Sequence, residues 1–172
     1  MENQAEQHSL LYLTPFDGES ISHYLGRWFR KETVNISNSF SLAKTLRLGK
    51  TLYRWERFYF NPPPDQEELE KMSDLMGVEI ERLRAMFPPE AEPIKPTPIR
   101  MCAACYAEAP YHRMAWQFKS MTGCEKHGLR LLSSCPSKGC NQPFPIPLLW
   151  IRGSCEHCGM KFSSMAKQQK PC

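Results

Sequence analysis

Cys102-Ala-Ala-Cys105, Cys124-Glu-Lys-His127, Cys135-Pro-Ser-Lys-Gly-Cys140 and Cys155-Glu-His-Cys158 stand in that order through the second half of the chain. Each is a short turn offering two side chains that bind soft or borderline metals. A tetrahedral Zn²⁺ site is readily built from two such turns pointing at one centre. The four turns therefore predict two zinc ions, one held by Cys102, Cys105, Cys124 and His127 and the other by Cys135, Cys140, Cys155 and Cys158. Consecutive pairing is the simpler arrangement, while spacing alone leaves a cross-braced one open. The gap of four residues in Cys135-x₄-Cys140 is wider than the two-residue gap of the other turns. His157 lies between two of these cysteines and is expected to point outward; Cys172, the eighth cysteine, is expected to be a free thiol on a frayed tail.

Other uses of eight cysteines fit less well. A disulfide framework needs an oxidising compartment. Met1-Glu2-Asn3-Gln4-Ala5-Glu6 lacks the basic-then-apolar order of a secretory leader, so a cytoplasmic location is expected. No apolar run is long enough to span a bilayer, so no membrane partner is expected. A redox Cys-x-x-Cys would need a thioredoxin-like setting that the flanking residues do not provide. A zinc hydrolase or deaminase needs an open coordination position and a general base, and the His-x-Glu tripeptide of deaminases does not occur. The sites read as structural and closed, and the chain as no enzyme.

Working outward, residues 98–172 form the zinc half, with the first site at about 100–130 and the second at about 133–162. So short a segment cannot bury a large core, so metal binding must supply much of its folding energy. Leu129, Leu131, Leu132, Phe144, Ile146, Leu148, Leu149, Trp150 and Phe162 are expected to pack round the sites. Trp116 and Phe118 suit that core better than base stacking. Before this half, Pro88, Pro89, Pro93, Pro96 and Pro98 define an extended connector that ends the first unit at residue 97.

Residues 1–97 read as mainly helical. Ile21, Tyr24, Leu25, Trp28 and Phe29 make one apolar face behind Ser20 as N-cap. A short helix through Phe40, Leu42, Ala43 and Leu46 follows, then one carrying Leu52, Trp55 and Tyr59 inward. Asp65 and Glu68 make a capping box ahead of Leu69, Met72, Leu75 and Met76. Gly77 closes that helix, and Ile80, Leu83 and Phe87 form the next stripe. Two helices about a glycine turn suit a helix-turn-helix or a plain αα-hairpin equally. The fold class is thus a mainly α, helix-turn-helix-like domain followed by tandem zinc-ribbon or zinc-finger-like modules.

The net charge of +4 is unevenly spread. Residues 65–92 are acidic. Residues 27–57 are basic, and Arg47, Lys50, Arg54 and Arg57 form the best candidate face for nucleic acid or an acidic partner. The zinc half is also basic, a balance that two Zn²⁺ on seven thiolates would soften without erasing.

The stretch Pro15-Phe-Asp-Gly-Glu19-Ser20-Ile-Ser-His23-Tyr-Leu25 resembles the opening of TniQ/TnsD proteins, Pro-x-x-x-Glu-Ser-x-x-Ser-x-Leu, with His23 in place of the second serine. Cys102-x₂-Cys105, Trp116, Cys124-x₂-His127, Leu132 and Cys135-Pro136 are similar to the zinc region of the same family. The short length looks most like the TniQ of type V-K CRISPR-associated transposons. The resemblance implies a target-selection adaptor in Tn7-like, RNA-guided transposition. Its partners would be the AAA+ ATPase TnsC, filamentous on DNA, and a CRISPR effector with its guide RNA, with DNA touched weakly or indirectly. The alternative is a sequence-specific DNA-binding zinc and helix-turn-helix factor.

Overall fold

The computed structural model describes residues 10–172, so the leader reading of Met1–Glu6 falls outside it. From Ile21 onward the helical half holds α1 (Ile21–Phe29), α2 (Ser39–Leu46), α3 (Thr51–Trp55), α4 (Gln66–Met76) and α5 (Ile80–Arg84). The zinc half adds α6 (Ala103–Glu108), an antiparallel pair β1 (Gly123–Cys124) and β2 (Leu129–Arg130), and three 3-10 turns at Met114–Gln117, Pro147–Leu149 and Phe162–Gln168. The architecture is mainly helical with two Cys/His clusters, as the sequence predicts.

Local chemistry sets the helix ends. Ser20 caps α1 by accepting from the His23 amide. Asp65 and Glu68 form a complete capping box on α4, and Gly77 ends that helix with φ 69°. Ile21, Tyr24, Leu25 and Trp28 are fully buried, against Leu42, Leu52, Trp55, Leu69, Met72, Met76 and Leu83. A second cluster gathers Met101, Tyr106, Met114, Trp116, Phe144, Trp150, Phe162 and Met165 about the cysteines. Trp116 is core, as expected; Leu149, by contrast, is exposed, and Leu148 packs on the helical cluster.

One expectation needs correction, and two readings gain detail. The third helix stops at Trp55, because Phe58 takes φ 63° and turns the chain. Phe58 is thereby buried, and Tyr59 faces solvent instead of the core. The helix after Gly77 spans only Ile80–Arg84, too short to lie along a groove as a recognition helix. Its arginines are engaged, Arg82 with Asp17 and the Pro15 carbonyl, Arg84 with Gln66. The proline-rich stretch, read from the sequence as an extended connector, is hydrogen-bonded to the metal half. Lys95 N–H donates to Gln117 O at 2.8 Å, Gln117 Nε2 donates back to Lys95 O at 2.6 Å, and Lys119 N–H donates to Pro93 O.

The helices and the metal half share a junction along α1. Ser20 N–H donates to His112 O at 2.9 Å, and Met114 N–H donates to Gly18 O at 2.8 Å. Leu148 N–H donates to Ser22 Oγ at 3.2 Å, while Arg30 donates to Leu148 O at 3.0 Å. This crossing requires Gly26: a Cβ there would lie 2.8 Å from Leu148 Cα and 2.9 Å from its carbonyl carbon, with the oxygen closer still.

Candidate metal centres

The first cluster is assembled from one helix and one hairpin. Cys102 is the N-cap residue of α6 and Cys105 sits one turn along it. Cys124 ends β1 and is opposite Leu129 on β2, with His127 in the turn between. Gly128, at φ 61°, lets its amide and that of His127 both donate to Cys124 O, which closes the turn over the sulfur. Cys105 and Cys124 sulfurs lie 3.5 Å apart, and His127 Nδ1 is 3.7, 3.3 and 3.4 Å from the sulfurs of Cys102, Cys105 and Cys124.

The second cluster comes from two loops. Cys135 N–H donates to Gln142 O, and Cys155 O accepts from Gly159 N–H, Gly159 having φ 74°. Sulfur separations are 3.6 Å for Cys135–Cys158 and 3.6 Å for Cys140–Cys155. In each cluster all four donor atoms lie within 4.8 Å of one another.

These separations fit Zn²⁺. With Zn–S near 2.3 Å and Zn–N near 2.05 Å, the edges of a regular tetrahedron are about 3.8 Å for S–S and about 3.6 Å for S–N. A disulfide would need its sulfurs about 2.05 Å apart, and all eight cysteines are free. The chemistry of the donors also suits a cation. Burial and the neighbouring thiols push Cys105 and Cys135 up to about 12. Burial opposes ionisation of Cys124 too, but hydrogen bonds from His127 and the adjacent thiols bring it down to about 7. A cation held by three thiols and a neutral imidazole in the first cluster, or by four thiols in the second, would exchange for the thiol protons.

The eight turn residues thus come together in the consecutive grouping. His157 is exposed and belongs to neither cluster. The tail bearing Cys172 is not frayed: Arg130 N–H donates to Lys170 O and Cys172 N–H donates to Gly128 O, so the chain end pairs with β2. The Cys172 sulfur rests where a Cβ on Gly123 would be.

Sequence reading missed the outer layer of the first cluster. Glu108, one turn after Cys105, holds His127 Nε2 at 2.9 Å with one oxygen and pairs with Lys126 through the other. That contact fixes the ring with Nδ1 toward the sulfurs. Buried Gln169 accepts from the amides of Ala103 (2.8 Å) and Ala104 (3.2 Å) and donates to Arg130 O, tying α6, β2 and the tail together. The i, i+3 spacing of Cys105 and Glu108 is a usable signal; Gln169, 61 residues beyond Glu108, has none.

The four basic candidates do not form one free face. Arg47 and Lys50 are exposed. Arg54 donates to Asn61 O, and Arg57 pairs with Glu56 while its guanidinium lies 3.7 Å above the Tyr53 ring. The helix on which Lys50, Arg54 and Arg57 were expected to align is simply too short.

The TniQ family model matches residues 10–131, which takes in α1 to α5 and the whole first cluster. No curated protein matches the chain. The chain belongs to the TniQ family, a family of transposition adaptors of Tn7-like elements.

Proposed function

We propose that this TniQ-family chain is a target-selection adaptor for RNA-guided transposition, of the short type found in type V-K CRISPR-associated elements. In this reading it binds the TnsC filament on DNA and couples it to a CRISPR effector and its guide RNA. Two Zn²⁺ ions, on Cys102, Cys105, Cys124 and His127 and on Cys135, Cys140, Cys155 and Cys158, hold the C-terminal half in shape. The metal supplies cross-linking, and the protein contributes no bond chemistry. Its action is differential affinity: it favours one state or end of the filament and thereby shifts where the filament persists.

The observation that carries the reading is the reach of the family match over both the helical unit and the first cluster. Those two parts are hydrogen-bonded to each other through Ser20, His112 and Leu148, an arrangement that suits presenting two surfaces at once. The rival reading, a factor that recognises a DNA sequence, would need a reading helix, and α5 has five residues with both arginines already engaged.

The test is a pull-down of the zinc-loaded protein with TnsC, nucleotide and DNA, with and without effector RNA. Filament should be retained far better than naked DNA, and effector RNA should increase retention. Equal affinity for filament and naked DNA would sink the adaptor reading. Enrichment of one DNA motif from random sequence at physiological salt would favour the rival.

A further inference from the structure

The two clusters differ in how far solvent reaches them. In the first, all three cysteines are buried. In the second, Cys158 is exposed and Cys140 half-exposed, while Cys135 and Cys155 are buried. A cleft of about 530 Å³ adjoins the second cluster, with Cys155, Glu156 and Gly159 in its wall. The donor sets differ as well. Four thiolates on one divalent cation leave two negative charges uncompensated, where three thiolates and a neutral imidazole leave one. Cys158 therefore combines the two properties that govern oxidation of sulfur, thiolate character and access.

The sulfurs around it are suitably placed. Cys135 lies 3.6 Å from Cys158 across the two loops, so a disulfide of about 2.05 Å needs a closing movement of only about 1.5 Å. Cys140 and Cys155, also 3.6 Å apart, bracket residues 141–154. That segment carries the 147–149 turn, whose Leu148 meets Ser22, Gly26 and Arg30 along α1.

We propose that Cys158 is a peroxide-reactive site and that the second cluster is a reversible oxidation switch acting on the junction. The Cys158 sulfur attacks one oxygen of hydrogen peroxide, the O–O bond breaks, and the other oxygen leaves as hydroxide. Cys158 is then a sulfenic acid. The Cys135 sulfur displaces its hydroxyl, again as hydroxide, and a Cys135–Cys158 disulfide forms. Each sulfur gives up one electron, the peroxide takes both, and two protons convert the two hydroxides to water. Two of the four donors are then consumed, so a metal ion is no longer held. Cys140 and Cys155 lose their common tie, and the segment between them loosens from α1. A thiol reductant restores the four donors. The inference rests on the reading of the second cluster as a zinc site and not on the role in transposition.

The test exposes the zinc-loaded full chain to hydrogen peroxide, with released zinc followed by a chromophoric indicator and disulfides mapped by differential alkylation and peptide mass spectrometry. One zinc per chain should leave first, with Cys135 and Cys158 joined and the first cluster intact, and dithiothreitol with added zinc should reverse it. Amide hydrogen exchange at Leu148 should quicken about tenfold, the loss of roughly one hydrogen bond. Cys158→His keeps a fourth metal ligand but removes the exposed thiolate, and should slow release about tenfold or more while still holding two zinc ions. Cys172→Ser should leave the rate unchanged, which assigns the reaction to the cluster. A chain that holds only one zinc before peroxide would refute the metal reading and this inference with it. In a chain that holds two, release of both at one rate, a wild-type rate in Cys158→His, or a first disulfide elsewhere would overturn this inference alone. Unchanged exchange at Leu148 after release would remove the link to the junction.

Discussion

Gly26→Ala is the perturbation whose sign discriminates best. In an open helix this change stabilises by about 1 kcal/mol, because alanine loses less backbone entropy. In α1 the new methyl meets the backbone of Leu148 at 2.8–2.9 Å, where ordinary contact begins near 3.4 Å. Backbone cannot rotate out of the way as a side chain can, so the 147–149 turn must move off the helix by roughly half an ångström or more. Two hydrogen bonds anchor that turn, Leu148 N–H to Ser22 Oγ at 3.2 Å and Arg30 to Leu148 O at 3.0 Å. Overpacking costs about 1–3 kcal/mol and each weakened hydrogen bond about 0.5–1.5 kcal/mol. Setting the helix gain against these leaves a destabilisation of about 3 kcal/mol. For a chain of this size that lowers the melting temperature by about 6–12 °C. Urea unfolding followed by tryptophan fluorescence measures it, with zinc content determined in parallel to show that the clusters stay loaded. A variant as stable as wild type, or more so, would refute the close crossing of α1 by the 147–149 turn.

Metal removal should be stepwise. Cys158 is exposed and Cys140 half-exposed, whereas the thiols of the first cluster are all buried. A chelator titration should therefore release one zinc before the other, and Cys158→Ser should abolish the early phase; simultaneous release would contradict the difference. Glu108→Gln keeps the side chain's size but removes the charge that orients His127, and should reduce zinc affinity at the first cluster about 10- to 100-fold. Chelator competition measures that, and unchanged affinity would remove Glu108 from the site. Burial, followed by repulsion from His23, holds His112 well below the ordinary imidazole range. The folded state thus keeps it neutral while the unfolded chain gains a proton near pH 6.5, so its contribution is complete above that pH and is lost as pH falls below it. Ring-nitrogen NMR should show a neutral imidazole from about pH 7.5 to about pH 5.5, and a midpoint near 6.5 would contradict the buried setting.

Which features were legible from the sequence follows from how local their causes are. The capping box of Asp65 and Glu68, the Ser20 cap and the Gly77 stop depend on neighbours within four residues, and all three occur as read. The cysteine turns are local too, so their membership of two groups could be anticipated, and the three-dimensional structure selects the consecutive grouping. What was misread depends on distant partners. Periodicity placed Tyr59 inward because it assumes a continuing helix; the left-handed Phe58 breaks the period and exchanges the two rings. Leu148 looked like metal-site core, yet its place is set by Gly26, over 120 positions away. The basic residues looked like one face for the same reason that Tyr59 looked buried.

The distant contacts also explain the two signatures by which the chain resembles its family. Glu19 is fully buried, accepts from the Phe16 amide and from Arg27, and lies 2.5 Å from His23 Nδ1. Burial alone would raise its pKa, but those partners hold it below the ordinary carboxylate value, so it stays charged at neutral pH. A buried charge held this firmly fixes the loop that enters α1, and the next residue, Ser20, both caps the helix and lies 3.0 Å from His112 Nδ1. His112 in turn packs edge-on against Trp116 and Trp150, beside the first cluster and the 147–149 turn. The Glu-Ser opening and the cysteine-rich region are therefore the two sides of one junction. A carboxylate at position 19 sets where α1 begins, and the start of α1 sets how the metal half is carried. Separate cores joined by a free linker would let the two halves vary independently; the shared hydrogen bonds at Ser20 and Ser22 and the close crossing at Gly26 bind them into one presenting unit.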